Sequence, residues 1–395
     1  MERTIYREIP ATRQLLQVGA LLVAFILAAA GSVLYIEHHG HIVTGMNNQI
    51  VWGLPHVFAI FLIVAASGAL NVASIASVFG QVPYKPMARL SGLLAMSLLA
   101  GGLAVLVLDL GRPDRLIVAM TTYNFSSIFA WNILLYNGFF VIVAAYLFVQ
   151  MSRSMPYSVV RTAGTIAFVW RLILTTGTGS IFGWLVARPA YDAAILAPLF
   201  IAMSFAFGLA VFILVLTAMT KMTDRPLGVK FQARLGRLLG VFVAAVLYFT
   251  AVQHMTNLYA AEHGSVERFI LRDGGIYTLM FWGGQILLGT LLPLGLLAAR
   301  GFDSGRRGLT LTSMLFLAGG LAQMYVIIIG GQAFPLKIFP GYEVSSSFAD
   351  GAIGRYIPTL PEALLGISGI SIAMLLTAVA LRLLPFLPQA APEKA

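Results

Sequence analysis

The chain has 395 residues, 59% of them hydrophobic and only 10% charged, with a formal net charge of +10 and no cysteine. Its mean hydropathy of +0.89 is more apolar than a soluble core requires, and it excludes a water-soluble globular protein. The lack of thiols excludes disulfides, Cys-ligated iron–sulfur clusters and covalent c-type haem within this chain.

Crossing a ~30 Å hydrocarbon core takes about 20 apolar residues of helix. Ten runs meet that need, at about 15–36, 52–79, 88–108, 126–151, 159–186, 193–220, 235–260, 276–299, 309–331 and 362–384. A transmembrane β-barrel would instead show short alternating segments. The predicted fold class is all-α: a polytopic integral membrane protein with about ten transmembrane helices in a single membrane domain. The first run follows Arg3, Arg7 and Arg13 and reads as a membrane helix, not as a removable signal peptide.

Between the first two runs lies the least lipid-like stretch, residues 37–56. It holds four of the six histidines (His38, His39, His41 and His56), the amides Asn47, Asn48 and Gln49, and Trp52. It reads as one wall of a functional pocket. Three readings of His38, His39 and His41 stay open: a solvated loop, a proton antenna or a metal site. After the third run comes Asp109-Leu110-Gly111-Arg112-Pro113. There Asp109 and Arg112 read either as an ion pair closing a tight turn or as the mouth of a polar pocket shared with residues 37–56. Tyr123 and Asn124 precede the fourth run.

Arg171 falls near the middle of the fifth run, where a charge is costly unless it faces the bundle interior. No carboxylate sits at that depth, so its expected partners are carbonyls, waters and Ser67, Asn71 and Ser74, which share a helix face. Asn132 and Tyr136 have the same i,i+4 relation. The seventh run ends in Gln253, His254, Asn257, Tyr259, Glu262 and His263. These read as a second pocket or as interfacial residues beneath the last long loop, about 332–361, itself a cap or a docking surface. Most of the 25 Lys and Arg fall on the side of the termini, which places both termini in the cytoplasm. The same distribution assigns the positive charge to the membrane surface, with no nucleic-acid partner.

The Trp52-Gly53 start of the second run, the Asp109 to Pro113 turn, Asn124-Phe125-Ser126 and the glycine-rich Thr175 to Gly183 stretch together resemble the polysulfide reductase membrane-subunit family (NrfD/PsrC/HybB type). The ten-span form is similar to the DsrP-type branch, a membrane subunit of sulfite-reductase-associated electron-transfer complexes. The resemblance implies two side-by-side four-helix bundles, about 52–186 and 193–331, with peripheral helices at about 15–36 and 362–384. It implies a subunit of a bacterial inner-membrane redox complex in sulfur-compound metabolism. Such a subunit exchanges electrons between quinone or quinol, bound as substrate near the periplasmic face of the first bundle, and an iron–sulfur ferredoxin-like partner. Further cytochrome or catalytic subunits are additional partners, and no cofactor or metal is permanently bound in this chain.

Quinone chemistry moves two electrons and two protons, so the site needs an apolar slot, carbonyl-binding donors and a titratable group. His56 is the first choice for the last role. The expected reactive set is His56, Asp109, Arg112 and Arg171; the expected pocket is Trp52, Asn48, Gln49, His41, Tyr123, Asn124 and Asn132. Relatives in the hydrogenase-linked branch carry acidic residues near the positions of His56 and Trp131, so proton handling is expected to differ here, as local exchange with the outer phase. The alternatives are a secondary transporter with a midplane site at Arg171 and a haem b anchor using His56 and His254.

Overall fold

Lipid offers the backbone no hydrogen-bonding partner, so an apolar segment must satisfy its own N–H and C=O groups, and a single run does so as a helix. The computed structural model describes residues 4–152, 154–223, 225, 227–299, 305–336 and 351–389. Among these residues ten helices are long and apolar enough to cross a membrane. They are α1 Arg13–His39, α2 Leu54–Ser77, α3 Val82–Leu108, α4 Ile128–Met151, α5 Tyr157–Gly183, α6 Leu196–Met222, α7 Val229–Tyr259, α8 Ile276–Ala299, α9 Gly305–Ala333 and α10 Leu360–Leu383. The chain is an all-α, multi-pass integral membrane protein.

The ends depart from the sequence expectation where local chemistry moves them. The second run begins at Leu54, not Trp52, because Gly53 is the extended N-cap (φ −90°, ψ −160°) and Pro55 occupies the first turn, where a missing N–H does no harm. The third begins earlier than expected, through the 3₁₀ turn Val82–Met87 with its two prolines. Of the long loop expected at 332–361, residues 337–350 lie outside the described residues.

Contacts trace two rings of helices. In the first, α2 packs on α3, α3 on α4, α4 on α5 and α5 back on α2. In the second, α6 packs on α7, α7 on α8, α8 on α9 and α9 back on α6. The α2–α6 contact joins the rings, α10 lies against α3 and α2, and α1 lies against α10. The most apolar stretch of α1 is 17% buried and that of α2 is 89% buried, which separates a lipid-facing helix from a central one.

Glycine makes the central joint possible. Gly68 of α2 lies against the main chain of Ser204, and Gly208 of α6 lies against the main chain of Gly68 and Ala69. A Cβ at either position would overlap backbone atoms, and such close backbone approach is what holds helices together where water supplies no driving force. The second ring is less regular: Phe269–Asp273, Met280–Leu291 and Val326–Gly330 are π-helical.

Tyr6–Arg7 pairs antiparallel with Leu387–Pro388, so both chain ends meet at one end of the bundle. Residues 37–56 lie at the other end. There the 351–359 segment folds back over them: Asn47 Nδ2 donates to Arg355 O at 3.3 Å and Leu54 N donates to the Tyr356 hydroxyl at 2.6 Å. Glu362, fully buried, accepts from Gly45 N, Thr359 N and the Tyr356 hydroxyl, each at 2.8 Å.

Candidate functional site

The Gly53 cap and Pro55 set the start of α2 so that His56 falls in its first turn, beside the last turn of α3. Asp109 is the residue on which α3 ends. The two side chains therefore meet where the helices end: His56 Nδ1 lies 2.9 Å from Asp109 Oδ2, with the carboxylate side chain 1% exposed and the imidazole 21% exposed. The approach is close but misaligned. Neither His56 Nδ1 nor either Asp109 oxygen closes a well-directed hydrogen bond to protein. A buried carboxylate is expensive unless neutralised or fully bonded, so this pair is kept at a structural cost. It stands at the edge of a cavity.

That cavity measures about 410 Å³, within the usual range for sites that take a small organic ligand. Trp52, His56 and Ile60 form one wall and Phe129, Asn132 and Tyr136 the opposite one. Leu116 and Met120, from the short helix Leu116–Thr121, and Phe182 of α5 close it further. Most of the lining is hydrocarbon or aromatic, with His56, Asn132, Tyr136 and Asn137 as polar members. The Trp52 ring stacks on His56 (centroids 6.3 Å apart) and on Tyr191 (6.3 Å), and meets Phe129 and Phe182 edge-on at 6.1 and 5.9 Å. Trp52 is held by its main chain: Gln332 Oε1 accepts from Trp52 N at 3.0 Å and Gln332 Nε2 donates to Trp52 O at 3.0 Å. Burial pushes the Tyr191 phenol up, so it stays protonated and donates to Ile328 O at 2.6 Å.

Of the residues singled out from sequence, the structure brings Trp52, His56, Asn132 and Tyr136 to the cavity, with Asp109 directly behind His56. Asn132 Nδ2 is already engaged with Ile128 O (2.9 Å) and Gly177 O (3.1 Å), so Asn132 ties α4 to α5 as it lines the site. His41 packs over Gly111, where an added Cβ would lie 3.3 Å from its Nε2, and its Nδ1 is buried without a partner. It stands between the exterior of this end and the Asp109 turn, outside the cavity.

Several expected residues serve the loops instead. Gln49 Nε2 donates to Ala352 O at 3.0 Å and Ala333 O at 3.3 Å. Asn48 is exposed. Asn124 caps its own turn through Ser126 N (3.0 Å), and Tyr123 stacks on Phe125. The ion pair expected between Asp109 and Arg112 is not formed: Arg112 Nε lies 3.2 Å from Asp114 Oδ1 at the exposed surface, because a partner two residues along is reached without bending the chain. His39 Nδ1 meets Tyr35 O at 3.0 Å beside the exposed His38. Among the described residues no three metal-ligating side chains converge.

Arg171 is buried, as its depth demands. Its Nη1 donates to Ser67 O at 3.0 Å and to Asn71 Oδ1 at 2.7 Å, and its guanidinium lies 4.8 Å from the centre of the Phe205 ring. Ser74 turns away to Leu70 O. This hub welds α2 to α5 and does not line the cavity. Sequence reasoning missed Phe129, Tyr191, Gln332 and the Leu116–Thr121 helix. Tyr191 and Gln332 sit beside helix ends, where no periodicity marks them; the short apolar run Leu116 to Met120 after the Pro113 turn was the one available signal.

The family description "Polysulphide reductase, NrfD" matches residues 42–336. The chain is 27% identical to the "Hdr-like menaquinol oxidoreductase integral membrane subunit" of Archaeoglobus fulgidus, over 95% of this chain and 94% of the relative. It is 28% identical to a protein of Halobacterium salinarum named as a dimethyl sulfoxide reductase membrane subunit, over 95% and 92%. Identity to "Protein NrfD" of Escherichia coli is 24%, over 72% of this chain and 96% of that protein. Because the family match runs from the His41 loop through α9 and takes in every wall of the cavity, the chain belongs to the NrfD polysulphide reductase family.

Proposed function

We propose that this chain is the quinone-reactive membrane subunit of a multi-subunit respiratory redox complex. It exchanges electrons between membrane quinone or quinol and an iron–sulfur partner docked at the histidine-bearing end. That end faces the periplasm of a bacterial cytoplasmic membrane, and both termini face the cytoplasm. The sulfur-compound metabolism implied by the resemblance belongs to the same proposal.

The observation that carries the proposal is the apolar cavity with His56 in its wall and Asp109 directly behind His56. A quinone ring needs flat apolar walls, which Trp52, Phe129 and Phe182 supply. Oxidation of a quinol sends two electrons to the partner and frees two protons from the ring hydroxyls. With Nδ1 at Asp109, His56 has Nε2 left to accept a proton from a bound hydroxyl, and the buried carboxylate stabilises the imidazolium that results. Reduction runs the same steps in reverse. The name of the Archaeoglobus relative, a menaquinol oxidoreductase subunit, agrees with this chemistry.

The test is a map of the assembled complex with a quinone-site inhibitor. Density between Trp52, His56 and Phe129 is the expected result; a headgroup bound elsewhere would overturn the assignment. Sidedness is open to a separate check, since the chain has no native cysteine. A single cysteine at His41→Cys should react with an impermeant thiol reagent added to the periplasmic side, and one at Gln389→Cys should not.

A further inference from the structure

The second helical ring holds a buried titratable pair that the proposed quinone chemistry does not use. His254 Nδ1 near the end of α7 lies 2.6 Å from Glu267 Oε2, and Asn257 Nδ2 donates to Glu267 Oε1 at 2.9 Å. Glu267 is 1% exposed. Beside the pair is a small cavity of about 20 Å³, lined by Gln253, His254, Gln285 and Gln323 among others. It is large enough for one water. The side chains of Gln253 and Gln285 line it beside His254 and offer polar groups to a water held there.

The backbone around this cavity is irregular in a telling way. Each of the three π-helical stretches contributes to its lining: Ile270 from Phe269–Asp273, Gln285 from Met280–Leu291, and Val326 and Ile327 from Val326–Gly330. π-Turns interrupt regular helix and gather at functional sites. The last of them also divides the two cavities, since Ile327 and Gly331 face the small one and Ile328 faces the large one. Tyr191, stacked on Trp52, bonds to Ile328 O on that divide.

We propose that His254 and Glu267, hydrated through the Gln253–Gln285–Gln323 cavity, form a second proton-binding site whose occupancy changes with turnover in the first cavity. This rests on the quinone reading above. When His56 and Asp109 gain or lose a proton, the charge and packing across the shared π-turn change. The second pair then takes up or releases a proton to the water at the same end of the bundle. No electron passes through it; one proton moves between water and the His254–Glu267 pair.

Other titratable groups stand on the elements around the pair, and among the described residues none is in direct contact with it. Glu262 is exposed and lies 3.8 Å from His263, whose Nδ1 meets Pro189 O at 2.8 Å. Arg268 is exposed, and Arg272 pairs at the surface with Asp273 at 3.7 Å. Arg188, on the α5–α6 connection, donates to Gln49 O and Gln332 O. The phenols of Tyr277 on α8 and Tyr325 on α9 stack on each other.

The experiment follows, with a pH indicator in stopped flow, the protons released during the first turnover of the assembled complex oxidising quinol, with an acceptor that takes electrons and no protons, across a range of pH. Quinol chemistry gives two per two electrons, and continuous turnover settles at two because the second site is restored in every cycle. In the first turnover the second site adds a transient, pH-dependent departure from two, and that departure disappears in Glu267→Gln while turnover remains. A Gln285→Leu variant, which dries the cavity and leaves both titratable groups, should shrink the departure and serves where Glu267→Gln does not assemble. A first-turnover count of two at every pH in the unaltered complex, or the same departure in the variants, overturns the proposal. Failure of the quinone reading looks different: the unaltered complex would not oxidise quinol at all.

Discussion

The two rings carry the same chemical pair in two states of completion. In the first, His56 and Asp109 lie 2.9 Å apart without an aligned bond, beside a cavity of about 410 Å³. In the second, His254 and Glu267 lie 2.6 Å apart, a third residue, Asn257, holds the free carboxylate oxygen, and the adjoining space is about 20 Å³. A fully bonded pair has little left to offer a ligand; an under-bonded pair at a roomy apolar cavity does. The difference supports the proposed division, with substrate at the first ring and a stored proton at the second.

The comparison breaks most directly at the histidines. His56→Ala should lower quinol turnover by about 10²–10⁴-fold, the usual worth of a positioned acid–base group, with the complex still assembled by gel filtration. His254→Ala should lower it far less. Equal losses would abolish the distinction between the rings. Asp109→Asn keeps the shape and removes the charge behind His56, so a fall of about 10²-fold is expected, seen in kcat more than in KM.

The joint between the rings gives the next largest effect, on stability. Gly208→Val places side-chain atoms where the Gly68 main chain runs. Overpacking of this kind costs about 1–3 kcal/mol, and more where backbones must part. Thermal unfolding in detergent should show it, whereas Gly295→Ala, at a glycine with open space around it, should not. Phe129→Ala removes one aromatic wall of the first cavity only. A loss of about 0.5–1.5 kcal/mol of ring contact should raise KM up to about tenfold and leave kcat nearly unchanged.

What could be read from sequence follows from what is local. The ten spans were legible because their length and apolarity are set by the bilayer, not by neighbours. The partners of Arg171 were legible in part: the depth of its charge demanded polar groups, and helical spacing offered Ser67 and Asn71. The His56–Asp109 pair was not, since it depends on where α2 begins and α3 ends relative to one another. Asn48 and Gln49 misled because an amide that lines a ligand pocket and one that ties down a loop look alike in sequence. Glu267 was hidden by its surroundings: it precedes the apolar Phe269-Ile270-Leu271 in a stretch that turns through a π-helix, so neither a period of 3.6 nor a surface pattern marks it as buried.

The smallest effect tests the rim of the first cavity. Adjacency in sequence suggested Arg112 as the partner of Asp109, and the turn gave it Asp114 instead. The Arg112 hydrogen bond holds the Asp114 carboxyl below its usual range. A carboxylate depressed in the folded state adds stability above its unfolded pKa and loses it as pH falls through the folded one, so the Arg112–Asp114 contact should fade in acid. Both groups are fully exposed and screened by water and salt, and such pairs contribute little. Arg112→Ala should therefore leave the melting temperature almost unmoved at neutral pH and erase only a slight acid-side difference. It should also leave quinol KM unchanged, because the guanidinium points to Asp114 and not to the cavity. A large rise in KM would show instead that Arg112 swings in to meet the substrate, and the polar groups of the first cavity would then include a guanidinium.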